Sequence, residues 1–311
     1  MHFNVKSTRI AFPTFDFVLV VGAIATLFVA FYLKDEVYRD ILVSTSASFI
    51  FFIITRILMA LGKAFRFRRF KRFFGPDATG ESFCFVYPNF VLNETVTNTI
   101  IEAGIDMQGV YTKRVSAFDR VYRIDIPECV AINDIEALTE FVSLFGEMGS
   151  ITPKLISDEE ALKGGYSFIS FGLSSNELTH MYLDYMPHPF FEIHDEDEGA
   201  RFGEYLRVNA PDGKAYDFAS YDRREIGIFL RCSPNPELSE RRWFFCAGLG
   251  PNATVGAARY VVRNWRRLQK DAGSEDFIAI FSVPPYAVSQ TQPVWISTHD
   301  RILMNRREIH V

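Results

Sequence analysis

Two junctions in this sequence combine glycines with short polar residues, a pattern that can bind an anionic ligand. At both, an apolar strand-like run ends at a glycine and a helical pattern follows. Glycines let the backbone approach a ligand closely, and the unpaired N–H groups at a helix N-terminus favour phosphate. The residues predicted to bind a ligand are Gly172, Ser174, Ser175, Asn176, Gly248, Gly250 and Thr254.

Neither junction matches an established nucleotide-binding motif. Gly248-x-Gly250 is followed only at Gly256 by a third glycine, too late for G-x-G-x-x-G, and no Gly-Lys-[Ser/Thr] is present. The alternative is structural, because serine and threonine cap helices and glycines form tight turns. Both interpretations stay open, although two such junctions on one sheet favour a nucleotide-like pocket at the carboxyl ends of its strands.

Other chemistry is less well supported. A Ser–His–Asp hydrolase of the G-x-S-x-G kind is excluded by the absence of that motif. The spacing of His180, His188 and His194 fits no common zinc site. Glu177 beside the first junction could cleave a glycosidic bond, or it could complete a helix N-terminus. We therefore predict no catalytic residue, no metal and no cofactor.

The two junctions lie in a region where strand and helix patterns alternate. Apolar or alternating runs predict strands at 83–87, 121–126, 166–171, 226–231, 243–247 and 277–283. Helices are predicted from Asp134, capped by Asn133, to about Met148, at 178–186 and at 253–268. Such alternation predicts an α/β, Rossmann-like soluble domain over 76–311, with a mixed or mostly parallel sheet covered on both faces. Cys84, Cys232 and Cys246 lie in these runs, which favours buried free thiols.

The N-terminal part, 1–75, is of a different kind. Residues 17–33 carry no charge, and residues 41–62 carry only Arg56. Both stretches are long enough to cross a thin or locally adapted bilayer as helices, so they predict a two-helix transmembrane hairpin. A cleaved signal peptide is disfavoured because Lys34-Asp35-Glu36 follows the first stretch where a small-residue cleavage site would be needed.

Charge divides the chain in the same place. Residues 1–75 hold 11 basic and 4 acidic residues, whereas the remainder holds 22 basic and 34 acidic residues. A basic cluster follows the second apolar stretch: Lys63, Arg66, Arg68, Arg69, Lys71 and Arg72. The positive-inside bias predicts a multi-pass protein of the cell inner membrane with both termini in the cytoplasm. Interleaved phenylalanines, among them Phe65, Phe70, Phe73 and Phe74, favour contact with membrane lipid, with nucleic acid as the alternative.

Polar residues inside the second stretch allow two interpretations. Ser44 and Ser48 form part of a small polar face, which could pack the hairpin against itself or line a pore between several hairpins. Arg56 could reach the interface or face a water-filled path. Because two helices per chain do not enclose a pore, the second interpretation requires a homo-oligomer.

This layout resembles a known class of proteins. Two membrane helices, a basic exit and a compact cytoplasmic domain with Gly172-Leu-Ser-Ser175-Asn176 and Ala247-Gly-Leu-Gly250 look like membrane effectors of bacterial anti-phage systems. The layout is most similar to the two-transmembrane effector of a retron system, and next to effectors gated by cyclic oligonucleotides. The resemblance implies a toxin that disrupts the inner membrane on infection. It also implies restraint by a partner, in retrons a reverse transcriptase with its RNA–DNA product, or control by a nucleotide ligand.

Three functional hypotheses follow: the effector, an anchored enzyme acting on a nucleotide or its glycosidic bond, and a membrane scaffold that recruits partners.

Overall fold

The computed structural model describes residues 14–88, 111–112, 123–124, 131–149, 153–195, 204–234 and 241–306. The chain forms two compact units, Met1–Arg68 and Arg69–Val311. The second unit begins a few residues before the domain boundary predicted at 75/76. The two units are described separately.

The first unit consists of helix α1 (Thr14–Tyr32) and most of helix α2 (Glu36–Phe74). Asp35 starts α2, because its Oδ1 accepts a hydrogen bond from the Val37 N–H at 3.0 Å. The two helices contact each other through small residues. The hydroxyl groups of Thr26 and Ser46 are 2.7 Å apart, and Ser46 and Ala23 are buried beside them.

Helix α2 is the part of the described chain that is long and apolar enough to cross a membrane, and the described apolar part of α1, Leu19–Tyr32, is shorter. The second helix was predicted at 41–62 and is longer at both ends. No glycine other than Gly62 and no proline interrupts it before Gly75, and Lys and Arg are good helix formers, so the basic segment continues the helix. The connection between the two predicted apolar stretches, residues 34–40, is correspondingly shortened to residues 33–35.

The second unit is an α/β domain. Its further helices are α3 (Ile132–Glu147), α4 (Asp158–Leu162), α5 (Glu177–Tyr185) and α6 (Ala253–Ala272). The strands up to the first junction are β1 (Phe83–Tyr87), β2 (Tyr111–Thr112), β3 (Arg123–Ile124), β4 (Lys154–Ser157) and β5 (Ser167–Phe171). The later strands are β6 (Phe191–Asp195), β7 (Glu204–Asn209), β8 (Ala215–Ala219), β9 (Glu225–Cys232), β10 (Trp243–Leu249), β11 (Phe277–Val283), β12 (Gln292–Thr298) and β13 (Ile302–Asn305).

The central sheet is mixed, as predicted. Its strand order is β13-β12-β11-β9-β10-β5-β1-β4. The pairs among β4, β1, β5 and β10 are parallel, whereas those among β10, β9, β11, β12 and β13 are antiparallel. Strands β5 and β10 are parallel neighbours, with Phe171 opposite Cys246. Their carboxyl ends, where the two glycine junctions lie, therefore reach the same edge of the sheet.

Both faces of this sheet are buried, because successive side chains of each strand point to opposite faces. On one face, Phe229, Phe244 and Phe277 belong to a core with α3, α6 and the end of α2. On the other face, Leu230, Phe245 and Ile278 belong to a core with α4, α5 and the small sheet β6-β7-β8. Coverage on both faces explains why the strands are continuous apolar runs in the sequence. Cys84, Cys232 and Cys246 are buried free thiols, as predicted.

In the last turns of α2, the prediction of lipid contact is wrong for three phenylalanines. Phe70, Phe73 and Phe74 were predicted to enter lipid, but all three side chains are fully buried in the core of the second unit. The ring of Phe73 lies 6.2 Å from that of Phe229 and nearly parallel to it. Residues 76–79 form a short 3₁₀ helix whose Ala78 is also buried. Phe65 remains exposed, as a lipid-facing residue would be.

Several strands were not predicted. The antiparallel sheet β6-β7-β8 and strands β4, β12 and β13 carry polar residues or are short, so they lack the continuous apolar run of the central strands. The predicted strand 121–126 lies mostly outside the described residues. Its described part is β3, which pairs with β2.

Candidate ligand-binding cavity

The two glycine junctions line one cavity of about 360 Å³ at the carboxyl ends of β5 and β10. A third wall comes from the start of α3, which the sequence did not indicate. The described lining residues are Ala131, Ile132, Asn133, Asp134, Gly172, Leu173, Ser174, Ser175, Gly248, Gly250, Pro251 and Thr254. Of the predicted ligand residues, the structure brings together all but Asn176.

The glycines at the second junction allow α6 to begin close to the sheet. A Cβ atom on Gly248 would lie 2.3 Å from the Cβ of Ala253 and 2.7 Å from the carbonyl oxygen of Ile226. Gly250 has a φ of +122°, and a Cβ there would lie 2.6 Å from the carboxyl carbon of Glu225. The structural explanation of these glycines is therefore correct, and their backbone also forms part of the cavity wall.

Buried Glu225 fixes the turn that leads into α6. Its carboxylate accepts hydrogen bonds from the backbone N–H of Asn252 at 2.7 Å and from the Asn252 side chain at 3.2 Å. Because the Asn252 side chain is used in this way, the helix start has no side-chain cap. Thr254, in the first turn, is almost completely buried and lines the cavity.

Asn133 joins α3 to the same turn. It was predicted to cap a helix starting at Asp134, but α3 begins two residues earlier, at Ile132, and Ala131 occupies the cap position. The Asn133 side-chain amide instead donates a hydrogen bond to the carbonyl oxygen of Pro251. This long-range contact, which local spacing does not reveal, brings the start of α3 to the cavity.

Asp134 is the ionisable residue of the described cavity lining, and it is 7% exposed. Its carboxylate makes no hydrogen bond or ion pair with any other described residue. Burial raises its pKa from 3.8 to about 6, in spite of the favourable dipole at the start of α3. Near it, burial raises the pKa of the Cys246 thiol well above its usual range, so this thiol is not a nucleophile.

The first junction contributes side chains of two kinds. Ser174 and Ser175 are exposed at the cavity, whereas Asn176 is completely buried beneath it. Asn176 caps α5, since its Oδ1 accepts the Leu178 N–H at 2.9 Å and its amide donates to the Phe171 carbonyl at 2.6 Å. Asn176 therefore holds the junction in shape, and it is the helix cap in place of Ser174 or Ser175, which the structural interpretation had named.

The described lining holds no catalytic pair. His180 contacts the backbone carbonyl oxygen of Ser174 rather than a hydroxyl. Glu177 begins α5 outside the lining, and its backbone N–H donates to Asp158 at 3.2 Å. Across the described ranges, no group of three or more His, Cys, Asp or Glu residues is placed to bind a metal.

The residues predicted for the membrane segment lie on α2. Ser44 and Ser48 are exposed in the single chain, and the Ser48 hydroxyl donates to the carbonyl oxygen of Ser44 at 3.0 Å. Arg56 is half-buried, with its guanidinium 6.0 Å from the ring centre of Phe52. In the basic cluster, Lys71 is half-buried and the other members are exposed: Lys63, Arg66, Arg68, Arg69 and Arg72.

Comparison of the chain with models of protein families, with curated proteins and with solved structures finds no match.

Proposed function

We propose that this protein is a membrane-embedded effector whose C-terminal domain senses a ligand or partner and then drives disruption of the inner membrane. In this proposal α1 and α2 form a transmembrane hairpin, both termini are cytoplasmic, and the protein acts in anti-phage defence by abortive infection. The layout described above supports the defence role. The partner is a nucleotide ligand or a reverse transcriptase with its RNA–DNA product.

The observation that carries the membrane part is the exposed apolar surface of α2. Within its most apolar 18-residue window, only 6% of residues are buried. Phe51, Leu58 and Met59 are each more than 60% exposed. A helix of a soluble core would bury such side chains, whereas a bilayer accepts them. The hydroxyls of Thr45, Ser48 and Thr55 donate to carbonyls of their own helix, which suits a medium without water.

The cavity supports binding rather than catalysis. Glycoside hydrolysis normally requires two carboxyl groups, and acyl transfer requires a nucleophile with an adjacent base. Among the described lining residues, Asp134 is the sole ionisable group and no serine is paired with a histidine. The parallel strands β5 and β10, each followed by a helix, suit a Rossmann-like ligand site.

Membrane disruption requires several chains, because one hairpin does not enclose a pore. We propose that homo-oligomers place Ser44 and Ser48 toward the pore and that Arg56 faces a neighbouring helix or the water path. The exposed members of the basic cluster contact anionic lipid headgroups. The last turn of α2 is packed in the core of the second unit, so a change in that core would act on the same helix.

Membrane potential in bacterial cells tests this proposal. At high expression, which favours clustering by mass action, the natural chain should depolarise the inner membrane. Ile54→Asp should abolish the effect, because Ile54 is 49% exposed within the apolar part of α2 and a carboxylate there opposes insertion. Ile54→Leu is the matched control and should retain it. Equal depolarisation by the Asp and Leu variants, or none by the natural chain, would contradict the effector function.

A further inference from the structure

The two helices that start at the cavity differ from their neighbours. Helix α4 is capped by the side chain of Ser157, and α5 by that of Asn176. Neither α3 nor α6 has a side-chain cap, although they are the long helices of the domain. At the start of α6, the Asn252 N–H is bonded to Glu225 and the Ala253 N–H to the Gly250 carbonyl. The N–H groups of Thr254 and Val255 have no hydrogen bond to a described residue, so they are the donors that an anion can meet in the first turn.

Asp134 provides a second, independent indication of a ligand. The residue is 7% exposed and lines the cavity, and its carboxylate has no hydrogen-bond partner among the residues that the structure describes. A buried carboxyl group is normally hydrogen-bonded, since the loss of hydration is otherwise uncompensated. A carboxylate accepts two parallel hydrogen bonds, so it can receive two adjacent donors of one ligand.

The size of the cavity limits the ligand. A volume of about 360 Å³ lies at the lower end of the range for small-molecule sites, which is about 300–1,000 Å³. This space suits one nucleoside unit and is too small to enclose two. An inorganic anion alone would leave most of the cavity empty and would leave the carboxylate without a donor.

We propose that the cavity binds one nucleoside monophosphate, with its phosphate at the first turn of α6 and a pair of donors on Asp134. The donors are the two hydroxyls of the ribose or the two N–H groups of a guanine edge. Both are adjacent donor pairs that fit a carboxylate. The Thr254 hydroxyl, in the first turn of α6, is placed to contribute to the phosphate end. This inference rests on the proposed sensor function and names the ligand class of that sensor.

Calorimetric titration of the detergent-solubilised full-length protein tests the ligand class. The probes are GMP, AMP, dGMP, guanosine and inorganic phosphate. GMP should bind, and guanosine and inorganic phosphate should each bind at least about tenfold more weakly, because each lacks one end of the ligand. If the ribose supplies the donor pair, AMP matches GMP and dGMP is weak. If guanine supplies it, dGMP matches GMP and AMP is weak.

Two isosteric variants test the contacts with the two ends of the proposed ligand. Asp134→Asn and Thr254→Val should each weaken GMP binding by roughly tenfold or more, whereas Asp184→Asn, an exposed carboxylate on α5, should not. Thermal unfolding of each variant confirms that it is folded. Binding of inorganic phosphate as tight as that of GMP, no binding of any nucleotide, or full binding by Asp134→Asn would overturn the inference.

The outcomes separate this inference from the proposed function. GMP binding without depolarisation would contradict the effector role and support the ligand site. If depolarisation depends on Ile54 but no nucleotide binds, the ligand site is contradicted and the effector role is supported.

Discussion

The side chain of Asp134 reduces the stability of the folded protein at neutral pH. Because its pKa is raised from 3.8 to about 6, the unfolded carboxyl ionises at lower pH than the folded one. The free energy of unfolding therefore falls as the pH rises from about 4 to about 6, by up to about 3 kcal/mol, and this loss persists at pH 7.

Substitution of Asp134 by Asn should therefore stabilise the protein in a pH-dependent manner. We expect a gain of about 1–3 kcal/mol in the free energy of unfolding at pH 7.5 and almost none at pH 4, because the natural carboxyl is already neutral there. Denaturant unfolding at both pH values measures the difference. The same loss of stability at both pH values would instead indicate a structural role for Asp134.

Gly250 should be intolerant of a side chain for reasons beyond its dihedral angles. Gly250→Ala would bring a methyl group against buried Glu225, and we expect a cost above about 3 kcal/mol. Gly213→Ala is the matched control, since its φ is +76° and its new Cβ would meet no atom of the described residues within 4 Å. That change should cost only about 1 kcal/mol. Similar losses in both variants, measured by denaturant unfolding, would show that Glu225 moves aside.

At the scale of elements, the end of α2 packs into the core of the second unit. Phe73 lies against the guanidinium of Arg231, whose Cζ is 5.3 Å from the ring centre, and Phe277 lies 4.8 Å from the same atom. Arg231 is almost completely buried, and its Nε and Nη1 have no hydrogen-bond partner in the described part of the chain. Burial lowers its pKa to about 10. The two rings therefore stabilise a cation that water does not reach.

Truncation of Phe73 should consequently destabilise the domain strongly. Phe73→Ala should cost about 3–5 kcal/mol, the usual loss for a buried aromatic ring. Phe65→Ala, in the same helix and 67% exposed, should leave the unfolding transition within about 0.5 kcal/mol. Thermal unfolding in detergent compares the two. An equal, small effect of both would indicate that Phe73 is not part of the domain core.

The phenylalanines near the end of α2 show which contacts the sequence alone does not determine. Phenylalanines alternating with cations suit a lipid interface and also suit a helix that is buried on one face, and only tertiary contacts distinguish the two. The strands β1 and β11 matched their predicted bounds because continuous apolar runs are a local signal. The third wall of the cavity depends on the contact of Asn133 with Pro251, which are 118 residues apart. Asp134 was therefore not identified as a site residue, although both glycine junctions were.

At the scale of the whole molecule, positive charge is concentrated in the N-terminal part of the chain. The net charge of residues 1–75 is +7 and that of the remainder is −12. The basic residues that follow the apolar part of α2 are mostly exposed. The proposed orientation, with both termini in the cytoplasm, depends on this cluster rather than on the total charge.

Neutralising part of the basic cluster should therefore weaken that orientation. In a triple variant with Lys63, Arg66 and Arg68 changed to Gln, a C-terminal reporter should be found partly outside the cytoplasm, whereas in the natural chain it should be entirely inside. The matched control changes Arg263, Arg266 and Lys270 of α6 to Gln, which removes the same charge from exposed positions in the folded domain and should leave the reporter inside. Paired cytoplasmic fluorescence and periplasmic phosphatase fusions measure both fractions. A natural chain whose reporter is active only in the periplasm would reverse the proposed topology, because the ligand cavity would then lie outside the cytoplasm and away from its nucleotides.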